Sequence, residues 1–298
     1  MGSPMQFKTG ISLSGETFPL DCGQEFDEIG LIRSEYLFRS AGRFPSGDSC
    51  KSLVTPYLDA ISRSFSKAVW YRTLEVDTAE ANVLDGCDHI LVEDDRLRGI
   101  RGIRRSIIYP DPFIAELQAV NASTVENIGI IVPFVSTIKE IEWAAKVIKT
   151  IVPRARLACM VEIPSLIPVI PTLRNLGFER VVVGCNDLGS LCMGTTRKAQ
   201  TSSGIPFEFR KILDHIADTS ARNGLECVAA GYLTAEMIDH FHRSGFSGST
   251  VHYSDLPGVF NISPDKLPEI KHLSLVKEKT REAIKHFNHA NGVHQVIY

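Results

Sequence analysis

The chain has 298 residues, 44% apolar and 22% charged, with a net charge of −3 from 32 Lys+Arg against 35 Asp+Glu. Such values exclude a disordered chain and a bulk basic surface for nucleic acid, and no apolar run approaches the roughly 18 residues of a membrane span. The length suits one α/β barrel of about 250 residues or two smaller domains.

Met1-Gly2-Ser3-Pro4 reads as a vector scar before a native Met5, and residues 1–27 as a lead-in to a single domain spanning 28–298. Ile29–Ile32 and Ala68–Leu74 have strand character, with a helix near Leu53–Phe65 between them. Asp77–Arg98 is acidic and irregular and predicts a long loop, and another strand is expected near residues 100–108. From about residue 125 the period switches regularly between 2 and 3.6. Strands are predicted at Ile128–Phe134, Arg156–Ile163, Arg180–Gly184, Leu225–Ala229 and Gly248–His252. Helices are predicted at Ile138–Ile151, Leu166–Leu176, Phe207–Arg222, Ala235–Arg243 and Leu275–Phe287. Eight βα units predict an α/β fold of the (β/α)8 TIM-barrel type. The alternative is an open doubly wound sheet, but no Gly-x-Gly-x-x-Gly follows a strand and no P-loop is present.

The seven cysteines, at 22, 50, 87, 159, 185, 192 and 227, are odd in number and contain no Cys-x-x-Cys pair. Reduced, mostly buried thiols in a cytoplasmic protein are therefore expected, rather than disulfides or a Cys-based zinc site. His240-x-His242 is expected on a helix surface, because residues two apart diverge. Ser165 and Ser190 lie in no nucleophile-elbow motif.

In a βα barrel the C-terminal strand ends form the active site. Those positions hold Arg33 and Glu35, Arg72, Arg98 and Arg101, Glu162, then Gly184-Cys185-Asn186-Asp187, and Ala230-Gly231-Tyr232. Two carboxylates on successive strands suit one Mg²⁺, completed by substrate and water oxygens. The arginines suit a phosphate or carboxylate. Singly, each residue also has a plainer role: a surface ion pair for an arginine, helix capping for Glu162 or for Asn186-Asp187.

Six segments carry a resemblance: EIGLIRSEYLF (28–38), YRTLE (71–75), RGIRG (98–102), IIVPFVST (130–137), MVEIPS (160–165) and VGCNDLGSL (183–191). In that order they resemble the C-terminal phosphoenolpyruvate/pyruvate-binding barrel of phosphoenolpyruvate synthase, pyruvate phosphate dikinase and enzyme I of the sugar phosphotransferase system. The resemblance implies that Arg33 and Arg72 bind phosphate, that Arg101 lies near the enolate oxygen and the transferring phosphoryl group, and that Glu162 and Asp187 ligate Mg²⁺, with Mn²⁺ as the other candidate. Asn186, with Gly184 and Cys185 beside it, is implied in substrate binding. A homodimer is implied as well.

Three departures qualify it. The family's phosphohistidine and ATP-grasp domains have no counterpart in this length, so the full synthase reaction is not expected of this chain alone. The family's proton-donating Cys before a Gly corresponds to Ala230 in CVAAGYLT, with Cys227 an odd step away on the opposite strand face. Glu75 stands where an Asp is usual. Tyr232 is the nearest candidate replacement acid. The leading expectation is aldolase-like chemistry at a pyruvate or phosphoenolpyruvate enolate with an aldehyde co-substrate. A phosphotransferase module with a separate phosphohistidine partner and a non-catalytic phosphoenolpyruvate-binding protein are the alternatives.

Overall fold

The computed structural model describes residues 6–16, 26–93, 99–196, 204–260 and 271–292. Eight parallel strands pair in chain order, and the last closes on the first: β1 (Lys8–Leu13), β2 (Glu28–Arg33), β3 (Ala68–Arg72), β4 (Ile128–Val132), β5 (Arg156–Val161), β6 (Phe178–Gly184), β7 (Glu226–Gly231) and β8 (Gly248–His252). The fold is a (β/α)8 barrel, and the open sheet is excluded. The described helices are α1 (Glu35–Ala41), α2 (Gly47–Ser64), α3 (Thr78–Ala81), α4 (Ile103–Ile108), α5 (Pro110–Ala122), α6 (Ile138–Ile151), α7 (Ile170–Leu173), α8 (Cys185–Met193), α9 (Phe207–Arg222), α10 (Ala235–Arg243), α11 (Leu256–Phe260) and α12 (Lys271–Ala290). Among the described residues no helix is long and apolar enough to cross a membrane.

The eighth strand is not at 100–108. That stretch enters α4 after Gly102, whose φ of +53° suits glycine. The missing strand is β1, so the barrel begins inside the segment 1–27 that the sequence assigned to a lead-in. Its sequence, KTGISL, places small and polar residues where a strand signal needs bulk. The packing explains why: a Cβ on Gly10 would stand 2.8 Å from Thr250 Oγ1, and one on Gly30 of β2 would overlap the same side chain. Thr250 fills the interior that β1 and β2 leave open.

The helix predicted at Leu166–Leu176 is broken. Pro164, Pro168 and Pro171 remove backbone donors, so a 3-10 turn (Pro164–Val169), the single-turn α7 and a second 3-10 turn (Arg174–Leu176) share the stretch. The loop predicted at 77–98 contains α3, started by an Asp77–Glu80 capping box; residues 94–98, with Arg98, lie outside the described residues, as does Cys22. Thr137 and Glu140 form the same device at α6.

The interior is layered. Leu31, Trp70, Ile131, Ala158, Met160, Val182 and Ala230 form an apolar middle. Below it, Arg180 of β6 is fully buried, with its guanidinium 4.1 Å from the Trp70 ring centroid. It makes two bonds to Glu28 of β2, at 2.6 and 2.8 Å, and two to Glu226 of β7, at 2.5 and 2.8 Å. Lys8 of β1 reaches Glu226 at 2.6 Å. This charged plug ties four strands together at the N-terminal end, and the mouth at the other end is left for chemistry.

Candidate active site

Strand register brings the predicted arginines together. Arg33 and Arg72 are paired positions at the ends of β2 and β3. Arg72 is buried, and its Nη2 donates to Glu35 Oε1 at 2.6 Å and stands 3.5 Å from Glu75. Arg101 donates to Glu75 and lies 4.2 Å over the Phe134 ring. Arg33 stays partly exposed, 3.2 Å from Glu35 and 4.5 Å over the Tyr36 ring.

The two carboxylates predicted as metal ligands relate to these arginines differently. Glu162 Oε1 is 3.8 Å from Arg72, and Asp187 Oδ2 is 3.9 Å from Arg101. Glu162 Oε2 accepts the Phe134 N–H at 2.9 Å. The close ion pairs thus engage Glu35 and Glu75, and Glu162 and Asp187 stand farther from the guanidinium groups. Burial raises the Glu162 carboxyl; Arg72 opposes this, and neighbouring Asp187 adds to it. Burial also pushes Glu35 up, but Arg72, Arg33 and Arg39 overcome that and hold it below the usual range. The guanidinium groups of Arg72 and Arg101 stay charged: burial opposes the charge, and the surrounding carboxylates outweigh it.

Local backbone explains the placement. A Cβ on Gly184 would stand 2.5 Å from Glu162 Cγ, so this end of β6 must be glycine for Glu162 to lie across it. Phe134 has φ +56°, rare for a bulky residue, and that conformation both aims its N–H at Glu162 and offers its ring to Arg101. Sequence pattern gave no sign of this, because backbone strain has no compositional signature.

The remaining predicted residues are more scattered. Asn186 Oδ1 accepts the Tyr232 N–H at 3.2 Å, which ties α8 to the end of β7. The Tyr232 side chain is 46% exposed, with no hydrogen bond from its phenol to the site among the described residues. Cys185 turns its thiol into the apolar core around the barrel, and burial pushes that thiol up to about 12, so its side chain does not face the mouth. Ala230 lies in the interior cluster and is paired in register with Gly184, whereas Cys227 packs on the outer face. Among the described residues no group of three His, Cys, Asp or Glu is arranged to hold a metal. Two carboxylates are nevertheless enough for a hard cation that takes its other oxygens from substrate and water. The pair fits one, because Glu35 and Glu75 are taken up by the close arginine pairs while Glu162 and Asp187 stand 3.8 and 3.9 Å from theirs.

Glu116 of α5 braces this group from outside the barrel. It accepts from Tyr71 Oη at 2.7 Å and from Leu74 N–H at 3.0 Å, on either side of Arg72. Burial raises its carboxyl to about 7. A raised carboxyl contributes stability that is full below the unfolded value near 4.5 and lost as pH rises through 7. Between pH 5 and pH 8 the wild type is expected to lose about 1–3 kcal/mol relative to Glu116→Gln, read from urea midpoints. A pH-independent difference would contradict this.

A closed parallel barrel with carboxylates and arginines gathered at its strand ends is an α/β-barrel enzyme scaffold. Residues 19–245 match the family described as PEP-utilising enzyme, PEP-binding domain, and the chain belongs to that family. It is 27% identical over 224 residues to phosphoenolpyruvate synthase of Pyrococcus furiosus, covering 69% of this chain and 27% of that protein. It is 27% identical over 237 residues to a phosphoenolpyruvate-dependent phosphotransferase system protein of Salmonella typhimurium, covering 72% of this chain and 30% of that one. The match therefore spans less than a third of the length of either relative. Among solved structures, an HpcH/HpaI aldolase/citrate lyase family protein from Burkholderia cenocepacia superposes with a TM-score of 0.53 at 12% identity over 95% of both chains, a likeness of fold.

Proposed function

We propose that this protein is a Mg²⁺-dependent enzyme that forms or cleaves a carbon–carbon bond at a pyruvate-type enolate. One observation carries the reading. Ala230 and Gly184, two of the smallest residues, stand side by side in the interior next to Glu162. Among the described residues no proton donor occupies that place, and the Cys227 thiol faces away and is pushed up by burial. An enolate formed there is left to attack a carbon electrophile such as an aldehyde.

Glu162 and Asp187 are the residues that would hold Mg²⁺ or Mn²⁺, which when bound polarises the substrate carbonyl and offsets charge on the enolate oxygen. Arg101, packed over the Phe134 ring and braced by Glu75, presents a fixed positive charge toward the same region. Arg33 and Arg72 receive the phosphate or carboxylate of the donor, with Glu35 fixing both guanidinium groups. In the cleavage direction the substrate hydroxyl gives its proton to solvent water at the mouth, the carbon–carbon bond breaks to leave an aldehyde, its electron pair passes to the enolate, and water protonates the enolate carbon to give pyruvate. The names of the relatives support a second reading, phosphoryl transfer with a phosphohistidine protein, which needs a proton donor where Ala230 stands.

Ala230→Cys tests the proposal. Restoring a thiol is expected to raise enolate protonation at least about tenfold, within the usual range for general acid catalysis. The rate is read as deuterium incorporation into the pyruvate methyl group. An unchanged rate counts against the assignment of position 230.

A further inference from the structure

The side of the mouth formed by β8, β1 and β2 holds a hydroxyl hydrogen without an acceptor among the described residues. Ser14, directly after β1, is 1% exposed. Its Oγ lies 2.9 Å from His252 Nε2 and 3.5 Å from Arg33 Nη1. His252, at the end of β8, accepts the Ser254 backbone N–H on Nδ1 at 3.2 Å, with Ser254 Oγ 2.6 Å from the same nitrogen. Burial, then Arg33 and Lys277, hold the imidazole down to about 3, so it is neutral near pH 7. The backbone N–H, which can only donate, assigns Nδ1 as the acceptor and the ring hydrogen to Nε2, with Ser254 Oγ lying between Nδ1 and Asp255 Oδ1. His252 therefore donates to Ser14, and Arg33, which has only donors, does the same. Both lone pairs of Ser14 Oγ are engaged, and neither neighbour can accept its hydrogen.

We propose that Ser14 is a ligand-binding residue, whose hydroxyl donates to an oxygen of a phosphate monoester held by Arg33. Arg33 is paired in register with Arg72, so the corner presents donors from β1, β2 and β3 to one tetrahedral anion. His252 is a positioning residue that fixes the Ser14 rotamer. The inference rests on the proposed phosphoenolpyruvate/pyruvate site and adds discrimination to it: a donor with a phosphate uses Ser14, and pyruvate does not.

The test titrates wild type, Ser14→Ala and Ser14→Cys with phosphoenolpyruvate, pyruvate and inorganic phosphate in the presence of Mg²⁺. Loss of one hydrogen bond to a charged group is expected to weaken phosphoenolpyruvate about tenfold in Ser14→Ala and leave pyruvate unchanged. Ser14→Cys, similar in volume but a weak donor, is expected to fall between and supplies the reading should the alanine variant fold poorly. Parallel weakening of inorganic phosphate identifies the anion itself as the ligand; unchanged phosphate binding with weakened phosphoenolpyruvate restricts the contact to the ester. Undiminished phosphoenolpyruvate binding in both variants, or equal loss for pyruvate, overturns the role of Ser14 alone. Failure of the wild type to bind phosphoenolpyruvate overturns the reading of the site and this corner with it.

Discussion

Arg180→Met is expected to destabilise the protein by about 3–5 kcal/mol, the usual cost of removing one partner from a buried ion pair. The cost arises from what remains. Glu28, with a side chain 3% exposed, loses both of its bonds to the guanidinium, and Trp70 keeps only Arg156, 4.5 Å from its ring centroid. Glu226 keeps Lys8 and partial solvent contact, so it loses less. Arg180→Met/Glu28→Gln is expected to recover part of the loss, because no isolated charge is left inside the barrel. Urea midpoints of the three proteins measure this. A single-variant loss below about 1 kcal/mol would mean that water reaches this end of the barrel.

Glu162→Ala is expected to lower Mg²⁺-dependent exchange of the pyruvate methyl protons by at least about 10²-fold, as for loss of a major electrostatic contribution to a transition state. Glu162 lies between two structures that depend on it. Its Oε2 receives the Phe134 N–H, and its stem lies across Gly184. Glu162→Gln keeps the acceptor for Phe134 and removes the charge. If Phe134 is the important partner, Gln restores exchange; if the charge is needed for the cation, Gln fails as Ala does. The account predicts failure of both.

The barrel was legible wherever strands are β-branched and helices amphipathic, from Ile128 to His252. Ile138–Ile151, Ala235–Arg243 and Gly248–His252 have the same bounds in sequence and structure. Legibility failed where a tertiary partner sets the residue. KTGISL reads poorly as a strand because Thr250, some 240 residues away, needs the space a larger side chain would fill. With β1 unseen, Ser14 and His252 could not be placed together. Arg33, Arg72, Glu162 and Asp187 were visible because they stand at strand ends, a position that the periodicity alone supplies. Their division of labour was not visible: Glu35 and Glu75 take the close ion pairs, and only distances separate them from Glu162 and Asp187.

The most direct test of the account is to incubate the wild-type chain with pyruvate in D₂O and follow the methyl signal by proton NMR, with and without Mg²⁺. The predicted result is loss of the signal that requires Mg²⁺, stops on chelation and is absent in Glu162→Ala. A methyl signal that decays no faster with protein and Mg²⁺ than in buffer would contradict enolate formation from pyruvate at this site.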